Sequence, residues 1–212
     1  MGAGGVMLAE ALRVNLVKPI LSAALAASFL SGCAALGGGS TPLDTYELSA
    51  ASPSEGGSRK RGVQILIAEP SALKSLDSVN IVIKPEAGEV QYLKGAQWAD
   101  RLPKVVQAKL AQSFQSSDRV GGVGKPGEGL AIDYQVITEI RRFGIRLDGG
   151  DRADVELFVR VLNDRNGTVR AARTFAAVAA VAGSGNAAYA DALDRAFNQA
   201  SVEIVDWAVG RF

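Results

Sequence analysis

Apolar and polar positions alternate along this chain in two distinct rhythms, and each rhythm predicts its own kind of element. Val63-Gln64-Ile65-Leu66-Ile67, Val79-Asn80-Ile81-Val82-Ile83 and Val90-Gln91-Tyr92-Leu93 are short β-branched runs. Glu69-Pro70, Lys84-Pro85 and Gly88 separate them, so they read as three strands with turns between. The period then changes. Trp98, Leu102, Val105, Val106, Leu110 and Phe114 recur every three or four residues, the single apolar stripe of an amphipathic helix. Pro103 falls in its first turn, where a missing N–H costs least. After Gly121–Gly129, which reads as a mobile glycine-rich connection, a long strand is expected from Leu130 to about Phe143. Asp148-Gly149-Gly150-Asp151 turns the chain into a second strand. There Ala153, Val155, Leu157, Val159 and Val161 alternate with Asp154, Glu156, Phe158 and Arg160, a period of two. Asn163 to Gly167 is a hairpin signal, because Asn-Gly adopts positive φ readily, and Val169 to Val178 is the return strand. A last helix carries Tyr189, Leu193, Ala196, Phe197, Ala200, Ile204, Trp207 and Ala208 on one stripe.

The order is βββα-βββα. Each helix must bury its stripe against a sheet, which predicts an α+β (α/β sandwich) fold, a two-layer structure with a mixed sheet packed by two helices. Strand order does not follow from these patterns. From Ala34 to about Gly62 the chain is rich in Gly, Ser, Pro and Thr, the composition of a flexible tether. Tyr46 and Leu48 flank Glu47 there, in a spacing that suits a short edge strand or a linker with two stray apolar residues.

Composition narrows the chemistry. The 212 residues are 48% hydrophobic, which suits a globular protein rather than a disordered one. A net charge of +1 lacks the basic footprint of nucleic-acid binding. The chain contains no histidine and one cysteine. This excludes imidazole acid–base chemistry, histidine triads, internal disulfides and multi-cysteine metal clusters. Neither a catalytic nor a cofactor residue is expected.

The cysteine has its own context. Ile20 to Leu30 is an apolar run just after Arg13 and Lys18, and it ends in Leu30-Ser31-Gly32-Cys33. This resembles a bacterial lipobox, whose cysteine becomes the first mature residue and carries fatty-acyl chains. The run has the length of a signal-peptide core, about 7–15 residues, and Lys18-Pro19 stops it short of the ~20 apolar residues of a membrane span. Residues 1–32 are therefore expected to be a lipoprotein signal peptide, 33–62 a flexible tether and 63–212 the folded domain, with Cys33 as the lipidation site.

Other motifs favour bland readings. Gly121-Gly122-Val123-Gly124-Lys125-Pro126 lacks the first glycine and the hydroxyl residue of a phosphate loop, since Arg119 and Pro126 stand in those places. Asp148 and Asp151 are too few for a calcium loop. Glu139-Ile140-Arg141-Arg142 reads as a solvated strand face. Trp98 and Trp207 read as anchors of the two helices to the sheet. The stretch Ala176 to Ala182 is built of small residues without charge, which suits close packing against a core or another subunit.

Several segments together resemble the auxiliary lipoprotein of ABC-type transport systems, the family often encoded beside MCE (mammalian cell entry) lipid-transport proteins. They are Tyr46-Glu47-Leu48, Ile65 to Pro70, Leu76 to Val82, Val90-Gln91-Tyr92, Trp98 to Leu102, and Asp133 to Val136 leading to Glu139–Phe143. The resemblance implies a non-catalytic component of lipid transport across the cell envelope. Its implied partners are an MCE protein with its ABC permease and ATPase, and a homo-oligomeric ring is compatible with it. Ala34, which is not aspartate, carries no resemblance to an inner-membrane retention signal. The expected location is thus the periplasmic face of the outer membrane. The alternative is an interaction module of another envelope assembly machine, for outer-membrane or cell-wall biogenesis.

Overall fold

The computed structural model describes residues 42–52 and 56–212, and within it residues 42–212 form one compact unit. Among the described residues, nine strands and two helices are laid out as β1 (Asp44–Tyr46), β2 (Lys60–Ile67), β3 (Ser71–Ala72), β4 (Asn80–Lys84), β5 (Gln91–Trp98), α1 (Leu102–Ser116), β6 (Val120–Gly124), β7 (Tyr134–Arg146), β8 (Arg152–Asn163), β9 (Thr168–Ala180) and α2 (Asn186–Val209). The α+β class and the mixed sheet are as the sequence predicts. The strand count grows from six to nine, and a helix still closes each half.

β7 is the spine of the sheet. Along one edge it pairs antiparallel with β8 over twelve register positions, from Tyr134↔Asn163 to Arg146↔Arg152. Its other edge is shared end to end by three short parallel partners. β2 meets residues 134–136, β3 meets 139–140 and β4 meets 144–146. The sheet therefore forks beyond β7, into β2–β6 at one end and β4–β5–β1 at the other. Among the described residues β9 pairs only with β8 and is a long outer edge.

Period two decides which side of the sheet is covered. Ala153, Val155, Leu157, Val159 and Val161 of β8 are buried in one core with Leu193, Phe197, Ile204 and Val205 of α2 and with Val106, Leu110 and Phe114 of α1. A bulge between Ile140 and Arg142 shifts the phase of β7, so Val136 and Ile140 before it and Phe143 and Ile145 after it all reach the same core. Without that extra residue Phe143 would face water. Instead it lies edge-on to Trp98 at 5.8 Å and 6.1 Å from Phe197.

Four sequence expectations are corrected. Trp98 ends β5 instead of starting α1, which begins at Leu102; its side chain still anchors the core at 1% exposure. Gly121 to Gly124 is not a loop but β6, parallel to β2, and a Cβ on Gly121 would stand 2.1 Å from the Arg61 carbonyl oxygen. Only glycine permits that approach. The long strand begins at Tyr134 rather than Leu130.

The fourth concerns the segment expected to be a tether over 33–62. β1 pairs parallel with β5, Leu48 is buried, and the Ala51 N–H donates to Ser113 Oγ of α1 at 2.9 Å. Ser49 donates through its N–H and its hydroxyl to the Asp194 carboxylate of α2, at 2.6 and 2.7 Å. The packed unit therefore starts at Pro42 rather than residue 63.

Candidate functional site

Cys33 and the leader expected over 1–32 lie outside the described residues, so the site geometry comes from the folded unit. The folded unit carries a cavity of about 130 Å³ beside the gap in the sheet, lined from β4, β7 and the segment after β3. It opens where the fork leaves the edge of β7 opposite β8 without a strand partner. β3 ends its pairing at Ile140, β4 begins its own at Gly144, and residues 141–143 lie between.

Leu73, Leu76, Val82, Val90 and Phe143 give the cavity apolar walls. Gly144 offers bare backbone to the lining, and Val82 packs so closely on it that a Cβ there would stand 2.8 Å from the Val82 carbonyl oxygen. Leu73 and Val90 stand at the mouth and are 74% and 45% exposed, unusual for large apolar side chains. Lys84, Arg141, Arg142, Arg146 and Asp154 complete the lining.

The arginines are held by a ladder of carboxylates. Arg142 stands opposite Glu156 in register, donating to it at 2.6 Å and to Asp154 at 3.0 Å. Arg146 faces Arg152, a like-charge pair that would destabilise the sheet on its own. Asp148 sits between the two and accepts from both, at 3.0 Å from Arg146 Nε and 3.4 Å from Arg152. The Arg146 guanidinium accordingly holds the Asp148 carboxyl below the usual carboxylate range. Arg141, the bulged residue, lies over the Phe158 ring at 4.2 Å and reaches Glu139 at 3.3 Å. Lys84 is different. It stands directly opposite Arg146 on β4, and it makes no ion pair among the described residues.

The segments singled out in the sequence fall elsewhere or into structural roles. Lys125, in the loop after β6, pairs with Glu128, and its backbone N–H donates to the same carboxylate. Asp148 and Asp151 do not converge on a common point: Asp148 belongs to the arginine ladder, while Asp151 accepts from the Tyr189 hydroxyl at 2.9 Å. No cluster of three metal-ligating side chains occurs among the described residues. Trp207 lies edge-on to Phe175 at 5.4 Å. Residues 176–180 lie on the edge strand β9, with Val178 56% exposed. Arg141 and Arg142 line the cavity, while Glu139 stands outside it and pairs with Arg141.

Sequence reasoning missed Leu73, Lys84, Val90, Gly144 and Asp154 as partners in one place. A signal was present: Arg141, Arg142 and Arg146 crowd one strand, and such crowding requires acids on the neighbour, which Asp154 and Glu156 supply at period two. The lysine and the apolar mouth come from distant segments and had no such signal.

Comparison with known proteins agrees with this fold. A family model described as ABC-type transport auxiliary lipoprotein component matches residues 46–205. An uncharacterized protein of Bradyrhizobium diazoefficiens is 30% identical over 182 residues, covering 85% of this chain. The chain spans about half the length of that curated relative, 49%. A crystal structure of a Xanthomonas campestris protein assigned to DUF330 superposes with a TM-score of 0.72 at 26% identity, covering 79% of this chain and 95% of that one. A hypothetical protein of Chlamydia trachomatis shares the fold alone, with a TM-score of 0.50 at 12% identity over 70% of this chain and 96% of that one.

Proposed function

This chain belongs to the ABC-type transport auxiliary lipoproteins, and from that premise we propose that it is the acyl-anchored, non-catalytic component of an MCE-type lipid-transport system. The family match over residues 46–205 carries the reading. In it, Cys33 becomes the first residue of the mature protein and its acyl chains hold the protein on the periplasmic face of the outer membrane. A single acyl chain binds a bilayer only marginally, whereas two or more anchor it stably. No helix among the described residues is long and apolar enough to cross a membrane, which is compatible with an anchor made by lipid.

The folded unit acts by position. Residues 34–41 separate Cys33 from the start of the packed unit at Pro42. A segment of that length reaches at most roughly 30 Å when fully extended. The domain therefore works close to its membrane, where it docks on an MCE protein and, through it, serves the ABC permease and ATPase. A homo-oligomeric ring is part of the same proposal, supported by β9, a long edge strand whose second half carries no charge to discourage pairing with another copy.

Membrane fractionation tests the reading. Cys33→Ser should leave a folded protein that no longer cofractionates with mature outer-membrane lipoproteins. Affinity purification of the wild-type protein from envelope membranes should recover an MCE protein with its permease and ATPase. Recovery of a cell-wall or outer-membrane assembly complex in their place would refute the transport role.

A further inference from the structure

We infer that the forked-sheet cavity is a docking pocket for one apolar side chain of a protein partner, an aromatic or branched residue flanked by acidic residues. The inference rests on the reading that this domain acts by docking, and it names the surface and the chemistry that would do so.

Size decides the occupant first. At about 130 Å³ the cavity is close to the ~150 Å³ apolar cavity that accepts a single benzene. It seats one side chain. An acyl chain of membrane length does not fit within it, still less a phospholipid. Its apolar walls also continue outward onto Leu73 and Val90, which are exposed and become covered only when a second surface closes over the mouth. That is the arrangement of an interface anchor: a filled, desolvated pocket with a rim that excludes water.

Charge decides what surrounds that side chain. Four cations line the cavity, Lys84, Arg141, Arg142 and Arg146, against one carboxylate, Asp154. Arg142 and Arg146 are already committed to Asp154, Glu156 and Asp148. Lys84 remains without an ion pair among the described residues, and Arg146 stands opposite it in register. Arg141 has Glu139 as its one carboxylate partner among the described residues, at 3.3 Å, and its side chain is 39% exposed. The neighbouring cavity, about 220 Å³, shares Lys84, Arg142, Arg146 and Asp154 with this one and adds Glu86, so cations outnumber carboxylates in both linings. A carboxylate brought there by a partner lowers the repulsion between Lys84 and Arg146, and a lysine or arginine raises it.

The test pans a random heptapeptide library against the purified protein. Parallel selections use Leu73→Asp, which replaces an exposed side chain, and Lys84→Glu. Circular dichroism and thermal melting verify that both variants fold. The expected result is enrichment of peptides with one aromatic or branched apolar residue beside aspartate or glutamate. The best of them, made synthetically, should bind each variant at least tenfold more weakly, and Lys84→Glu should shift its own selection toward basic flanks. Selection of basic flanks by the wild-type protein would overturn the inference, as would peptides that bind Leu73→Asp equally well. Displacement of the peptide by decanoate at lower concentration than by unlabelled peptide would assign the pocket to an acyl ligand instead. A wild-type dimer dissociated by Leu73→Asp in sedimentation would assign it to a second copy. The selection is done in solution, so it can fail while membrane anchoring through Cys33 and co-purification with transport proteins both stand.

Discussion

Two leucines five residues apart, Leu43 and Leu48, give opposite outcomes when cut back to alanine, and the contrast measures whether the segment before β2 is fold or linker. Leu48 is 2% exposed and Leu43 is 50% exposed. The residues around Leu48 are tied to both helices: Glu47 pairs with Lys109 of α1 at 3.3 Å, and the Ser49 hydroxyl meets Asp194 and Asn198 of α2, both at 2.7 Å. The cavity left by Leu48→Ala therefore cannot collapse freely, and the cost belongs in the usual range of about 2–5 kcal/mol for a buried leucine. For a domain of this size each kcal/mol moves the melting temperature by about 2–4 °C, so Tm should fall by about 4–20 °C. Leu43→Ala should stay within about 0.5 kcal/mol, as exposed substitutions do. Ser113→Ala provides an independent check. It strips the acceptor from the Ala51 N–H in a buried site and should cost about 1–3 kcal/mol. Urea unfolding followed by circular dichroism reads all three. A Leu48→Ala change no larger than that of Leu43→Ala would refute the claim that residues 42–52 are part of the core.

The remaining predictions concern the β2–β6 contact, acid and alkali. Gly121→Ala places a methyl group against the Arg61 carbonyl oxygen and should destabilise by about 1–3 kcal/mol or more, whereas Gly127→Ala, with open space around its Cβ site, should cost only its backbone strain; thermal melts compare the two. Asp77, Asp133 and Asp148 have carboxyl groups held below the usual range by hydrogen bonds from Arg101, from the Gln64 N–H and Arg165, and from Arg146 respectively. Their contribution is present above the unfolded value of about 3.9 and is lost as pH falls through the depressed folded values, so the urea midpoint should drop steeply below about pH 4, and less steeply in Asp133→Asn. Tyr189 has the opposite sign: Asp151 raises its phenol above the ordinary value, so its contribution holds below about pH 10 and disappears as pH rises through the higher folded value. Tyr189→Phe should remove that alkaline step in the urea midpoint.

The alternation in β8 and the stripe of α2 were enough to give the class of fold, because a period of two or of 3.6 is a local property that burial on one side imposes residue by residue. The hairpin at Asn163–Gly167 was legible for the same reason, and Gly167 does take positive φ, at 69°. Leu30-Ser31-Gly32-Cys33 is likewise local, a pattern read by its order alone, and the anchor proposed on it owes nothing to the tertiary structure.

What the folded chain alone decided lies at positions whose partners are far away in sequence. Trp98 continues the helical spacing, yet the Val79 carbonyl accepts its N–H at 2.7 Å and draws it into β5. Gly121 to Gly124 has turn composition, but the Arg61 carbonyl of β2 approaches Gly121 so closely that glycine is needed in a strand. Leu48 sits in linker-like sequence and is buried because two helices, some 60 and 145 residues onward, close over it. The cavity arises from the fork at β7. Lys84, Leu73 and Arg141 meet there only because three short strands must share one edge, and an edge too long for any one of them leaves a gap. Such convergence depends on pairing register over long separations, which no window of sequence contains.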